Sequence, residues 1–211
     1  MARDHFVRHN HHEGVIDWNF NVVLGQEPSV AAMAETYRPI LQKPWFYDPI
    51  PNEWLHTTIL RIGTVADYTE EEMLAVADKV QVRVNELQLP EFHFGPHIII
   101  HGNVCLKIEP ESELEKLYAA VTESLEEVVG AERATKSPYG HFIAHTSLVY
   151  SKERENEAET EVELNAAEIE PASFRIHHMP LIRQRPTNGH YEWKIVKNIE
   201  IPGPSRGLST D

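Results

Sequence analysis

Two short segments of the chain combine a histidine with a hydroxyl residue two positions later and an aliphatic residue directly after it. They are Leu55-His56-Thr57-Thr58-Ile59-Leu60 and Ala144-His145-Thr146-Ser147-Leu148-Val149. Histidine titrates near neutral pH, so one imidazole can act as a neutral base while a second acts as a protonated acid. The two segments therefore indicate acid–base chemistry that needs a matched pair of imidazoles.

The spacing within each segment predicts which side chains lie together. Side chains alternate across a strand, so residues two apart share a face. His56 and Thr58 then point to one side of their strand, as do His145 and Ser147. The intervening positions are mainly apolar or small, which suits packing beneath helices. Two such polar faces, brought together by an internal repeat, would form a cleft with two imidazoles and two hydroxyls.

Hydrophobic periodicity in the first half predicts strands and helices that alternate. Val15–Leu24 and Leu55–Ile62 have the alternation of strands, and a helix follows Pro28 until Pro39 ends or kinks it. A capping box, Thr69 to Glu72, begins a second helix. The apolar face of that helix is Met73, Val76, Val80, Val84 and Leu87.

The second half repeats this order. The predicted strand segments are Phe92–Ile108 (broken at Gly95-Pro96 and near Gly102-Asn103), Phe142–Tyr150, Ser173–Gln184 and His190–Ile201. Two helices lie between them, one with apolar residues at helical spacing from Leu114 to Val128 and a weaker acidic one over Glu153–Glu168. In the acidic helix, Ala158, Val162 and Ala166 share a face. The fold class is therefore α+β, with two similar lobes.

Composition excludes several classes of function. The net charge of −14 disfavours a protein that holds long nucleic acid through its phosphates. No apolar run approaches the ~20 residues of a membrane span, and Cys105 as the single cysteine excludes an internal disulfide and a cysteine-based zinc site. We expect a cytoplasmic monomer with one domain over residues 14–202, a flexible His-rich segment over 1–13 and a flexible tail over 203–211.

The paired His-x-Thr/Ser-aliphatic motifs resemble those of the two-histidine (2H) phosphoesterase superfamily, and specifically its bacterial 2′-5′ RNA ligase-like (LigT-like) branch. The similarity covers about residues 14–202, including the final strand pair with Tyr191-Glu192-Trp193. It implies a bilobal fold of two β-α-β repeats with antiparallel sheets around a central cleft. It also implies metal-independent chemistry, with no cofactor, on 2′,3′-cyclic phosphates or 2′-5′ linkages of a small nucleotide or RNA terminus, and ligation as the reverse reaction.

The resemblance also implies roles for single residues. His56 and His145 would be the catalytic acid–base pair, and Thr58 and Ser147 would hydrogen-bond the non-bridging phosphate oxygens. The chain departs from the branch at Tyr150, where a basic residue often follows the second motif.

Compensating positive charge is expected from Arg61, next to the first motif, or from Arg183 in the C-terminal strands. Trp45 in the Pro-rich loop offers a ring on which a nucleobase can stack, although the same loop can bury its aromatic residues as anchors. Tyr139 and Tyr150 flank the second motif and are further candidates for substrate contact.

Two other functions are compatible with the sequence. The same cleft can bind a nucleotide or an RNA end without turnover, although binding alone needs no acid–base pair. Alternatively, His93, His97 and His101 can form a metal site, but Gly95-Pro96 interrupts the strand between them.

Overall fold

Local sequence signals account for most of the helices and strands. The structure is a computed structural model that describes residues 5–8, 14–135, 141–152, 157–187 and 189–203. Its helices are α1 (His5–Arg8), α2 (Pro28–Leu41), α3 (Glu70–Val84), α4 (Glu111–Val129) and α5 (Glu157–Ala166), with a 3₁₀ turn at Asn52–Trp54. Its strands are β1 (Asp17–Val23), β2 (Tyr47–Pro49), β3 (His56–Thr64), β4 (Phe92–Ile100), β5 (Asn103–Glu109), β6 (His145–Ser147), β7 (Val149–Ser151), β8 (Ser173–Phe174), β9 (Leu181–Thr187) and β10 (His190–Lys197).

Helix α3 begins at the capping box that the sequence predicts. The Thr69 hydroxyl accepts a hydrogen bond from the backbone N–H of Glu72 at 3.2 Å, and the Glu72 carboxylate accepts one from the backbone N–H of Thr69 at 2.9 Å. These bonds satisfy two N–H groups that have no partner within the helix. The predicted apolar face is buried from Met73 to Val84, and Leu87 lies just beyond the end of the helix.

The strands form two four-stranded antiparallel sheets and one two-stranded pair. The first sheet has the order β10-β9-β1-β3, the second has the order β6-β5-β4-β8, and β2 pairs with β7. The predicted bilobal α+β class is confirmed. The two lobes are not the two halves of the chain, however, because the C-terminal hairpin β9–β10 returns to the first sheet.

That return explains why the predicted strand over Ser173–Gln184 is wrong in extent. Residues 173–174 pair with β4 in the second sheet, whereas the pairing with β1 in the first sheet starts at Leu181. Residues 175–180 connect these two pairings and form no extended strand, so the predicted strand is divided. At the hairpin turn, Gly189 has a φ of +86°, and a Cβ there would lie 2.6 Å from the Asp48 carboxyl carbon.

Three further expectations about local structure need correction. Of the two outcomes predicted for Pro39, an end of the helix is wrong, because α2 continues to Leu41, which is buried in the core. Gly95-Pro96 does not break β4, because a register shift between Phe94 and His97 accommodates it.

In α5, the buried residues are Thr160 and Leu164, and Val162 is 69% exposed. The small side chains of α5 do not specify which face of the helix is buried. The contact of α5 with α2 therefore decides which face turns towards the core.

The N-terminal expectation also changes. His5 is buried in α1, so the flexible segment predicted for residues 1–13 does not include residues 5–8. The rest of that segment, and the tail from residue 204 onwards, lie outside the described residues.

The core is continuous through both lobes. Helices α3 and α4 pack side by side, and α4 also contacts β3. Trp18, on the helix-covered side of β1, is fully buried and donates its indole N–H to the Tyr68 carbonyl at 3.0 Å. Among the described residues, no helix has the length and apolarity to cross a membrane.

Candidate active site

The two motif strands meet at the edges of their sheets. β3 is the edge strand of the first sheet and β6 is the edge strand of the second, and the two are in contact. The side-chain oxygens of Thr57 and Thr146 lie 2.6 Å apart and share a hydrogen bond between the lobes. Both threonines are 1% exposed. The middle residue of each motif therefore joins the two lobes.

Alternation along the strands places the histidines on the other face. His56 and Thr58 flank Thr57, and His145 and Ser147 flank Thr146, so all four polar side chains lie on the faces that turn away from the threonine pair. His56 is 9% exposed, while the other three are half-buried. The structure thus brings together the four residues that the sequence singles out.

Each imidazole is held by a carbonyl two residues earlier in the chain. His56 Nδ1 lies 2.8 Å from the Trp54 carbonyl oxygen, and His145 Nδ1 lies 2.8 Å from the Ile143 carbonyl oxygen. A carbonyl oxygen only accepts, so Nδ1 carries the hydrogen in both rings. In the neutral state, Nε2 then holds the lone pair that can accept a proton.

Burial favours the neutral form of both rings. It lowers the pKa of His56 to about 4, against the opposing effect of the Trp54 carbonyl, and a positive charge on His145 lowers it further. Burial also lowers the pKa of His145, while the Ile143 carbonyl and the carboxylate of Glu111 act in the opposite direction. Both shifts favour the uncharged form of the imidazoles in the free protein at neutral pH.

The hydroxyl of Ser147 has one close neighbour on the second sheet. Its Oγ lies 3.4 Å from the sulfur of Cys105, which is its register partner on β5. Burial raises the pKa of Cys105 to about 12, so this residue remains a thiol. The thiol lies beside the Ser147 hydroxyl, and its raised pKa disfavours the thiolate, which is the nucleophilic form.

Tryptophans line one side of His56. The rings of His56 and Trp193 meet edge-to-face at 5.0 Å, and Trp193 meets Trp54 in the same way at 4.7 Å. No role was assigned to either tryptophan from the sequence. Trp193 reaches the site only because β10 joins the first sheet, which local periodicity does not predict.

Lys107 is a further residue near the site to which the sequence assigned no role. It is the register partner of His145 on β5, and paired residues on neighbouring strands share a face. Its ammonium group is 3.9 Å from carboxylates of both Glu109 and Glu111. Asn103, Cys105 and Lys107 alternate along β5 and therefore share one face. Once β5 is known to pair with β6, this alternation places Lys107 on the same face as His145.

Arg61 lies on the same face of the first sheet as Thr58, because both pair with the asparagines of β1 at positions 19 and 21. Its guanidinium forms an ion pair with the buried carboxylate of Asp17 at 3.0 Å. Its charge is thus largely balanced within the sheet.

Arg183 and Trp45 are not brought to the site, and Tyr150 is covered by other side chains. Arg183 lies beside Trp18 on the helix-covered face, 3.3 Å from the carboxylate of Glu70, because alternation along β9 turns it away from the cleft. Trp45 is 66% exposed and lines a cavity of about 250 Å³ with residues of α5. Tyr150 is buried, and burial raises the pKa of its hydroxyl. Tyr139 lies outside the described residues.

The three histidines of the alternative metal site do not form a cluster. Among the residues described in the structure, no group of three or more His, Cys, Asp or Glu side chains is placed to hold a metal ion. His93 instead pairs with Glu109 at 3.4 Å, and His101 lies in the turn between β4 and β5.

Solved structures show the same fold. TT0787 of Thermus thermophilus aligns over 89% of this chain and 98% of its own, with a TM-score of 0.64 and 20% identity. Escherichia coli LigT in its apo form aligns over 92% of this chain and 99% of its own, with a TM-score of 0.56 and 14% identity. LigT complexed with 3′-AMP aligns over 89% and 98%, with a TM-score of 0.59 and 14% identity. No curated protein matches the chain in sequence.

The family model described as the 2′-5′ RNA ligase superfamily matches residues 26–188, which include both histidine motifs, the whole second sheet, and strands β3 and β9 of the first. That match covers well over half of the chain. With the two motifs meeting at the sheet edges of a LigT-like fold, the chain belongs to the 2′-5′ RNA ligase superfamily.

Proposed function

We propose that this protein opens 2′,3′-cyclic phosphates at the ends of nucleotides or short RNA, with His56 and His145 as the acid–base pair. The observation that carries the proposal is the matched geometry of the two rings. Each projects from an edge strand, each has its Nδ1 held by a carbonyl at 2.8 Å, and each has a hydroxyl two residues later on the same face.

The reaction divides between the two rings. One neutral imidazole takes a proton through Nε2 from a water molecule as the water oxygen bonds to phosphorus. The other, protonated, donates its proton to the ribose oxygen as the bond from phosphorus to that oxygen breaks. The hydroxyls of Thr58 and Ser147 donate hydrogen bonds to the non-bridging oxygens, where charge accumulates. With the 5′-hydroxyl of a second nucleotide in place of water, the same steps bond its oxygen to phosphorus, break the bond to the 3′ oxygen and leave a 2′-5′ linkage.

A small nucleotide fits both the charge of the chain and the ligands of its relatives. LigT has been crystallised with 3′-AMP, with phosphate and with ATP. A net charge of −14 disfavours contact with a long phosphate backbone, whereas a single terminal phosphate needs few donors.

One observation favours a second candidate, a binding module without turnover. Both imidazoles have lowered pKa values, which disfavours the protonated ring that the reaction needs in the free protein at neutral pH. A bound phosphate anion counters this, because a negative charge near an imidazole raises its pKa. The two candidates therefore differ in whether the complex turns over.

The test is turnover of 2′,3′-cyclic mononucleotides, with the products identified as 2′- or 3′-phosphates. His56→Ala and His145→Ala should each lower kcat by ~10²–10⁴-fold, the usual range for a positioned acid or base. The double variant should lose little more than either single variant, because the pair acts as a unit. His177→Ala, an exposed histidine, is the matched control.

Two outcomes would contradict the proposal. Binding of the nucleotide without turnover in the wild-type protein would favour the binding module. Loss of activity with EDTA, restored by zinc or manganese, would favour a metalloenzyme.

A further inference from the structure

Helix α1 lies against both sheets in the same cleft as the histidine pair. The Asn103 side-chain amide on β5 donates to His5 Nδ1 at 2.9 Å. His5 Nε2 therefore carries the hydrogen and donates to the Tyr191 hydroxyl on β10 at 3.0 Å. One buried imidazole thus connects the second sheet to the first.

The register of β5 places His5 close to the second motif. Lys107 pairs with His145 and Cys105 pairs with Ser147. Asn103 is the next residue on that face, two positions beyond Cys105, which is about 6–7 Å along a strand. His5 therefore lies one step past Ser147 in the cleft.

The first sheet leads to the same position. Trp193 contacts His56, and Tyr191 lies two residues away on the same face of β10. This is again a step of about 6–7 Å. Since His5 bonds to Tyr191, α1 closes the cleft next to the histidine pair from both sides.

The segment also covers aromatic rings on which a base could stack. His5 stacks on Tyr150 with ring centroids 4.2 Å apart. Phe6 lies 5.5 Å from the ring of Tyr150 and 5.0 Å from that of Tyr191. Base–aromatic stacking is a main source of affinity for single-stranded nucleic acid. With α1 in place, these two rings are occupied from within the chain.

We propose that α1 is an end wall of the cleft that limits the substrate to a mononucleotide or a very short oligonucleotide. This inference rests on the proposed function and adds the length of the substrate to it.

The experiment measures binding of two unreactive probes to the full chain. They are 3′-AMP and an adenylate tetranucleotide that ends in a 3′-phosphate. A His5→Ala/Phe6→Ala variant uncovers the two tyrosines, while Val7→Ala, at a 53% exposed position of the same helix, is the control. The wild-type protein should prefer 3′-AMP. In the double variant, the ratio of the tetranucleotide Kd to the 3′-AMP Kd should fall about tenfold, or ~1.4 kcal/mol.

A second variant keeps the inference testable if the double variant folds poorly. Tyr191→Phe removes only the hydroxyl that accepts from His5, and it should shift the same ratio in the same direction by a smaller factor. If the double variant folds and its ratio of Kd values is unchanged, the proposed role of α1 as an end wall is wrong. If the double variant does not fold, an unchanged ratio in Tyr191→Phe leads to the same conclusion. If neither probe binds any of these proteins, the phosphate cleft itself is overturned, and with it the proposed function.

Discussion

At the scale of single residues, burial sets the charge of the two histidines. An unperturbed imidazole has a pKa of ~6.5. From this value, the sequence alone predicts a bell-shaped plot of rate against pH whose rising and falling limbs lie between about pH 5 and 8. The structure buries both rings and lowers both pKa values, that of His56 to about 4. The free protein is therefore poor in the protonated form over the neutral range.

The pH dependence of catalysis should follow from this. The pH dependence of kcat/KM reports the pKa values of the free protein. The bell-shaped plot of kcat/KM against pH should therefore have its maximum below about pH 6.5. Above the maximum, kcat/KM falls because the catalytic acid loses its proton. In the complex, the phosphate anion raises the pKa of the acid, so the falling limb of kcat should lie at least ~1 pH unit higher. Initial rates from pH 4 to 8 measure both.

The two pKa values read from the pH profile describe the histidine pair and not either residue alone, because a charge on one ring changes the pKa of the other. A kcat/KM maximum at or above pH 7 would contradict the predicted effect of burial. A rate that is flat from pH 5 to 8, with chemistry rate-limiting, would contradict the two-histidine mechanism.

At the scale of elements, the site depends on how two edge strands meet. Edge strands leave backbone groups unpaired unless another element covers them. Here β3 and β6 contact each other, and the hydrogen bond between Thr57 and Thr146 joins the strands at the centre of both motifs. The hydroxyl pair positions the histidines, since each histidine directly precedes one of these threonines.

Removing one hydroxyl should cost stability as well as activity. Thr57→Val or Thr146→Val leaves the partner hydroxyl buried without a hydrogen bond, which should lower the free energy of unfolding by ~1–3 kcal/mol. The double variant should lose less than the sum of the two, because both polar groups are then absent. Urea unfolding measures these values, and kcat should fall in each single variant.

Thr36→Val, at an exposed position of α2, is the matched control and should change stability by less than ~0.5 kcal/mol. Additive losses for Thr57 and Thr146 would mean that the two hydroxyls do not act on each other.

At the scale of the whole molecule, net charge limits the partner. The chain carries −14 overall, and the cation next to a motif histidine, Lys107, lies 3.9 Å from the carboxylates of Glu109 and Glu111, further than a close ion pair. Arg61 is on the same face as the first motif but is paired with Asp17. Recognition should therefore involve one phosphate group, without a path for a phosphate backbone.

The salt dependence of 3′-AMP binding should be shallow. Release of counterions from one or two contacts gives a slope of log K against log salt of about −0.7 to −1.4 for single strands. Lys107→Gln should reduce the slope by ~0.7, whereas Lys116→Gln, on the exposed side of α4, should leave it unchanged. Titrations between 50 and 300 mM salt, roughly the range over which such slopes are resolved, measure this. A slope steeper than about −3 would indicate an extended phosphate path.

Features that depend on near neighbours in the chain could be predicted from the sequence. Strand alternation places His56 with Thr58 and His145 with Ser147, and the capping box with its apolar repeat specifies α3. The resemblance to 2H phosphoesterases follows from the same short motifs, and the family match agrees with it. Such signals are readable because side-chain direction in a strand or helix repeats every few residues.

Features that depend on distant parts of the chain required the three-dimensional structure. Trp193 contacts His56 because β10 returns to the first sheet, and Tyr150 is covered because His5 folds back onto it. The lowered pKa of His56 has the same origin, since burial sums the contributions of every element packed around the ring. Contacts and burial of this kind depend on which elements meet in space, and no local spacing in the sequence encodes them.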